Sequence, residues 1–198
     1  MRTLEYELEG YQRYRDISHS AFSQALAEIG ESGKDLAPEQ QEEYFDWRYD
    51  DIAEVRDSFP QLLRGTSLVA LYTIFEDTLF RLCKMVRSDA KVTLQPKDMR
   101  GDGIDLAKRF VVKGCNREFP SDSTEWSRIQ LFRKIRNCIV HANGYVRADQ
   151  RVEIHMVRGV SLSNQSKVLL EESVLDDFTK DIRGFFTLCE STVFREAT

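Results

Sequence analysis

The chain has 198 residues, 41% of them hydrophobic and 31% charged, with a formal net charge of −5. That length supports a well-buried core, the composition is that of a folded globular chain, and no apolar run approaches the roughly 20 residues of a membrane span. The acidic balance excludes a long nucleic-acid footprint, and the charged start "MRTLEYELEGYQRYRD" lacks the apolar core of a signal peptide, so a cytoplasmic protein with no membrane partner is expected.

From Leu4 to Ile29 the apolar residues fall at Leu4, Leu8, Tyr11, Tyr14, Phe22, Leu26 and Ile29, which predicts a long amphipathic helix. "GESGKDLAPEQ" breaks it, and a second helix is expected from Pro38 to Asp57, with Pro38 in its first turn. In its acidic, aromatic run "EEYFDWRYDD" the simplest reading packs Phe45 and Trp47 and solvates the charges; the other is a docking surface for a basic partner. A joint at Pro60 leads to "LLRGTSLVALYTIFEDTLFRLCKMVR", apolar on nearly every side and so a central, mostly buried helix. A loop and a shorter helix starting near Asp102 or Asp105 follow.

The helix "EWSRIQLFRKIRNCIVHAN", about 124–142, has Ser121, Ser123 and Thr124 as candidate N-caps. Ile129, Phe132, Ile135 and Ile139 form its core face, and Asn143-Gly144 ends it. The period then changes. Val152, Ile154 and Met156 alternate with Glu153 and His155, and "KVLLEES" lies beyond a polar turn, which predicts a β-hairpin over about 151–170. The last helix, about 173–195, returns to helical spacing with Val174, Phe178, Ile182, Phe185 and Cys189. The fold class expected is all-α: one domain over 1–198, a helical bundle with a small hairpin before its closing helix. The four cysteines are far apart with no CxxC, which suits buried free thiols, and the three histidines form no metal-ligand pattern, so neither metal nor cofactor is expected.

Charge is unevenly distributed. Residues 1–60 carry 15 acidic and 6 basic side chains, whereas 126–151 carry Arg128, Arg133, Lys134, Arg136, Arg147 and Arg151 against Asp149 alone. A basic patch on an acidic body suits one or two phosphates; the alternative is a helix with solvated basic residues. Within this patch stands "RKIRNCIVHANGY". Asn137 and His141 are four apart and share a helix face, with Arg136 alongside. Histidine exchanges protons near neutral pH, and arginine grips phosphate and its transition-state charge. Asn137 is placed to orient the histidine or bind phosphate. Together these residues suffice to cleave RNA without a metal, since the RNA's own 2′-hydroxyl is the nucleophile. Arg133, Lys134 and Arg147 are the accompanying RNA-binding candidates, and Tyr145 either stacks on a base or packs in its loop. Glu76, embedded in the apolar helix, either pairs with Arg136 and fixes it or marks that helix's wet stripe. His19 and His155 read as surface or interface residues.

"RNCIVH" resembles the R-polar-x-x-x-H motif of the HEPN superfamily, the helical nucleotide-binding domains of higher eukaryotes and prokaryotes. Arg136 stands at the motif arginine, Asn137 at the polar position after it and His141 at the motif histidine. "LYTIFEDTLFRLC", the hairpin and the closing helix are also similar to parts of prokaryotic members. The resemblance implies a metal-independent endoribonuclease leaving a 2′,3′-cyclic phosphate and a 5′-hydroxyl. It further implies a homodimer in which two motifs form one cleft, a toxin or phage-defence role, and an antitoxin or defence-system protein as partner. The competing reading is a non-catalytic HEPN module that binds a nucleotide or a protein.

Overall fold

Apolar periodicity near 3.6 recurs along most of the chain, and helices dominate accordingly. The structure, a computed structural model, describes residues 2–195. In chain order the helices are α1 (Arg2–Lys34), α2 (Pro38–Trp47), α3 (Tyr49–Ala53), α4 (Phe59–Asp89), α5 (Gly103–Arg109), α6 (Thr124–Ala142), α7 (Arg151–His155) and α8 (Glu172–Thr192). The strands β1 (Val160–Leu162) and β2 (Val168–Leu170) form an antiparallel hairpin before α8. The protein is all-α with a small hairpin. No helix among the described residues is long and apolar enough to cross a membrane.

α4 is the central helix and touches α1, α5, α6 and α8. It buries Leu68, Leu71, Phe75, Leu79, Cys83 and Val86. Phe75 meets Phe185 and Phe186 of α8 at ring-centroid distances of 5.6 and 5.5 Å. Phe119 and Trp126 extend this aromatic cluster to the start of α6. Each fully buried ring contributes roughly 1.5–3 kcal/mol through area removed from water. All four cysteines are buried and unpaired. Burial pushes the Cys83 thiol up to about 12, which keeps it protonated and inert.

α1 is tied to the head of α8 by charge. The buried Arg15 reaches Glu172 at 2.7 Å and Asp176 at 2.9 Å, and Arg64 of α4 reaches Glu172 at 3.1 Å. A buried guanidinium left unpaired here would be strongly destabilising.

Three local expectations are corrected. α1 does not break at Gly30 or Gly33; it runs to Lys34. Gly33 serves close packing instead, because a Cβ there would stand 2.8 Å from the Phe45 ring. Trp47 is not packed: it is 76% exposed, with Arg48 lying 5.7 Å over its ring. The helices on either side of Pro60 are joined by a π-helical turn, Glu54–Ser58, and not by a loop, since proline is tolerated in the first turn of α4.

The hairpin is also shorter than its period-2 pattern suggests. Residues 151–155 are α7, and His155 lies on that helix, not on a strand. Ile154 and Val157 are buried at helical spacing, whereas Val152 and Met156 are about 70% exposed. One edge of β2 pairs with β1, and the other receives Val168 N–H to Gly144 O at 2.9 Å and the Gln61 side chain at Leu170.

Asp181 of α8 gives a pH-dependent test of packing. Burial pushes its carboxyl up to about 6, against the pull of Arg128 at 2.9 Å and with Asp177 and Glu125 adding to the rise. A raised folded-state pKa favours folding most below the unfolded carboxylate value, and that contribution is lost as pH rises through about 6. Asp181→Asn therefore flattens the fall in stability between about pH 4 and 7. The variant gains about 1–2 kcal/mol on the wild type over that window after allowance for screening at the partly exposed Arg128. Thermal melts at several pH values check this.

Candidate functional site

Polar residues gather on one outer side of α6, and both ends of that helix are fixed. Ser123 accepts a hydrogen bond from Trp126 N–H at 3.1 Å, the N-cap arrangement expected of serine. At the other end Asn143 takes a left-handed conformation (φ 50°) and Gly144 follows at φ 81°, conformations that asparagine and glycine accept readily. Gly144 N–H returns to Cys138 O at 2.9 Å, while Gly144 O accepts from Val168 N–H of β2 and Val146 N–H donates to Ser166 O in the hairpin turn, both at 2.9 Å. Gln61 of α4 completes that edge with two bonds to Leu170, both 3.2 Å. The hairpin thus clamps the C-terminus of α6 to the N-terminal half of α4.

Ile129, Phe132 and Ile135 face the core. At 3.6 residues per turn, Arg136 stands at the edge of that core face, and Val140, Asn137 and His141 follow about 40°, 100° and 140° farther round toward solvent. Arg136 and Asn137 are half-buried and His141 is exposed. Arg136 Nη1–H donates to Asn137 Oδ1 at 3.0 Å, and the guanidinium lies 5.4 Å over the ring of Tyr72 from α4. Arg136 Nε is buried without a hydrogen-bond acceptor. Among the described residues no carboxylate pairs with Arg136, and His141 carries no side-chain hydrogen bond within the chain. Asn137 is therefore committed to the arginine and does not orient the histidine.

The basic patch is partly neutralised from elsewhere in the chain. Arg128 pairs with Asp181, Arg133 with Asp105 at 2.5 Å, and Lys134 with Glu153 at 2.6 Å. Arg147, exposed, has Asp149 at 3.6 Å. The local excess of positive charge in the sequence is thus largely taken up by ion pairs, whereas Arg136, half-buried, has no acidic partner among the described residues. Tyr145 is exposed beside the helix end, with Lys167 Nζ 6.0 Å from its ring centroid.

Glu76 does not pair with Arg136. Its Oε1 stands against the first residue of α5, 3.1 Å from where a Cβ on Gly103 would lie. Arg136 is held by a ring face and a neighbouring amide instead. Sequence reasoning misses Tyr72 and Asp105, the two residues that position Arg136 and Arg133. The available signal for Tyr72 is a polar-tipped aromatic one turn before Glu76 in an otherwise apolar helix. Burial, reinforced by the charge of Glu76, raises the Tyr72 phenol far above its ordinary value, so the ring stays neutral. Burial raises Asp105, but the hydrogen bond and charge of Arg133 outweigh it and hold the carboxyl below its ordinary value.

Tyr72→Leu removes the ring face under the guanidinium. The contact is worth about 0.5–1 kcal/mol, so the variant is expected to bind phosphate about 2–5-fold more weakly. Calorimetric titration with inorganic phosphate checks this.

Arg136 and Asn137 are joined by a hydrogen bond, and the exposed imidazole of His141 lies about 140° around α6 from the arginine. It gathers no three histidine, cysteine or acidic side chains into a metal-holding group among the described residues. Comparison with family models, characterised proteins and solved structures finds no match.

Proposed function

We propose that the protein is a metal-independent endoribonuclease whose reacting groups are Arg136 and His141. The observation that carries this reading is the state of Arg136: half-buried, fixed over Tyr72, bonded to Asn137 and without a carboxylate partner among the described residues, with the exposed His141 five residues on in the same helix. A guanidinium without a counter-charge is ready for a phosphodiester anion. In the reaction, Arg136 grips the scissile phosphate and the charge that builds on it. His141 moves a proton, either from the 2′-hydroxyl or to the leaving 5′-oxygen. The 2′-oxygen bonds to phosphorus, the bond to the 5′-oxygen breaks, and the products end in a 2′,3′-cyclic phosphate and a 5′-hydroxyl.

One copy supplies one imidazole, whereas this reaction uses a base and an acid. A homodimer meeting across the outer face of α6 supplies the second. Val140, 46% exposed beside Arg136, gives apolar surface for that contact. This is the arrangement implied by the HEPN-like motif, and with it go a cytoplasmic toxin or defence role and a protein that restrains the nuclease. The alternative, a non-catalytic nucleotide-binding or protein-interaction module, is favoured by the absence, among the described residues, of any group orienting His141.

The test is incubation of the purified protein with RNA in the presence of EDTA, followed by analysis of the product ends. Cyclic-phosphate and 5′-hydroxyl ends that are insensitive to chelator support the nuclease. Absence of cleavage with retained nucleotide binding supports the module.

A further inference from the structure

Gly65 stands in α4 at a position where no neighbouring atom requires a glycine. It sits inside a long helix, where glycine is less favourable than alanine. A Cβ placed on it meets nothing within 4 Å, so it does not serve close helix packing. What it leaves is space. Gly65 lines a groove of about 460 Å³ between α4, the end of α6 and β2, walled by Leu62, Ile139, Leu169 and Leu170, with Asn143 and Lys167 at its edge.

We propose that this groove holds a nucleobase of the RNA strand, next to the phosphate bound at Arg136. The proposal rests on the reading of the α6 face as an RNA site, which brings the strand there. Three observations select this occupant. The volume lies in the range of small-molecule sites, and apolar walls with a few polar groups are what a flat heterocycle requires. Asn143, held by its left-handed backbone, offers an amide that both donates and accepts, which suits the edge of a base. The charge is complementary to a phosphate chain. Lys167 is exposed without an acidic partner among the described residues, whereas the acid at the groove, Asp57, is paired with Arg56 at 2.7 Å. Arg136, Ile139 and Asn143 follow one helix face over about 10 Å of rise, so a strand gripped at Arg136 passes the groove mouth.

The experiment uses the full chain and the four nucleoside 5′-monophosphates as probes, with ribose 5-phosphate as the control lacking a base, read by calorimetric titration. Wild-type protein is expected to bind at least one nucleotide more tightly than ribose 5-phosphate. Gly65→Leu fills the groove and is expected to weaken that binding at least about tenfold, with a melting temperature equal to or above wild type. Asn143→Gly, which keeps the backbone conformation, is expected to reduce discrimination among the four bases. Equal binding of nucleotides and ribose 5-phosphate, or undiminished nucleotide binding in a folded Gly65→Leu, overturns the proposal. So does a Gly65→Leu effect confined to dimer formation. RNA cleavage with unchanged KM in Gly65→Leu would remove the base site and leave the nuclease standing. Nucleotide binding lost in Gly65→Leu, in a protein that cuts no RNA, would keep the base site and remove the nuclease.

Discussion

His141→Ala is expected to lower RNA cleavage by about 10²–10⁴-fold, the contribution of a positioned proton-transfer group. Arg136→Ala is expected to lower it by about 10²–10³-fold, the scale of losing one donor aimed at transition-state charge. Neither change should unfold the chain. His141 is exposed and makes no side-chain hydrogen bond among the described residues, so its loss leaves the melting temperature in place. Arg136 loses its contact with the Tyr72 ring, about 0.5–1 kcal/mol. Arg136→Lys should recover little activity, because an ammonium lacks the planar fork that binds two phosphate oxygens. Steady-state cleavage of a labelled RNA, with circular dichroism melts of the same preparations, checks all three variants. Full activity in His141→Ala would exclude the imidazole from the reaction.

The largest expected effect on stability comes from Phe178→Ala. The Phe178 ring of α8 stacks on Phe132 of α6 with centroids 4.2 Å apart and planes 24° from parallel. Both rings are fully buried, and the pair holds the site-bearing helix to the closing helix. Removing a buried phenyl costs about 3–5 kcal/mol in lost transfer energy and cavity. That is a large share of the roughly 5–15 kcal/mol by which domains are stable. The expected result is a lower urea midpoint with little change in slope. A loss under about 1 kcal/mol would mean that the α6–α8 seam is looser than the stack indicates.

The helical bundle is legible in the sequence because its signals are local. Ser123 before the motif helix and Asn143-Gly144 after it are cap residues whose chemistry is set by backbone conformation, and they bound α6 in the structure. The burial of Val174, Phe178, Ile182, Phe185 and Cys189 follows directly from their spacing on α8. What fails to read is what depends on distant neighbours. Val152, Ile154 and Met156 alternate like a strand, but the stretch closes into a helix that buries Ile154, with Val157 buried three residues on. Gly33 resembles a helix stop until the Phe45 ring is seen against it.

The candidate site divides in the same way. Arg136, Asn137 and His141 lie within six consecutive residues, so a helix is enough to gather them. The partners of the basic residues are not local. Asp105, Glu153 and Asp181 come from three other helices and remove most of the positive patch that the sequence displays between 126 and 151. Tyr72 reaches Arg136 across the α4–α6 packing seam, a contact that no spacing rule within either helix predicts. Glu76, on the same side of α4 one turn later, is the more obvious partner by charge, yet it turns to the start of α5.

The central claim is that the 2′-hydroxyl of the RNA attacks a phosphate held at Arg136. The direct measurement is cleavage, in EDTA, of an RNA carrying a single 2′-deoxyribose at a mapped cut position, compared with the all-ribose strand. The account predicts that cutting stops at that one bond while other positions are cut as before, with cyclic phosphates at the remaining 3′ ends. Cleavage at the deoxy position at the ribose rate would contradict it, because the nucleophile would then lie outside the RNA.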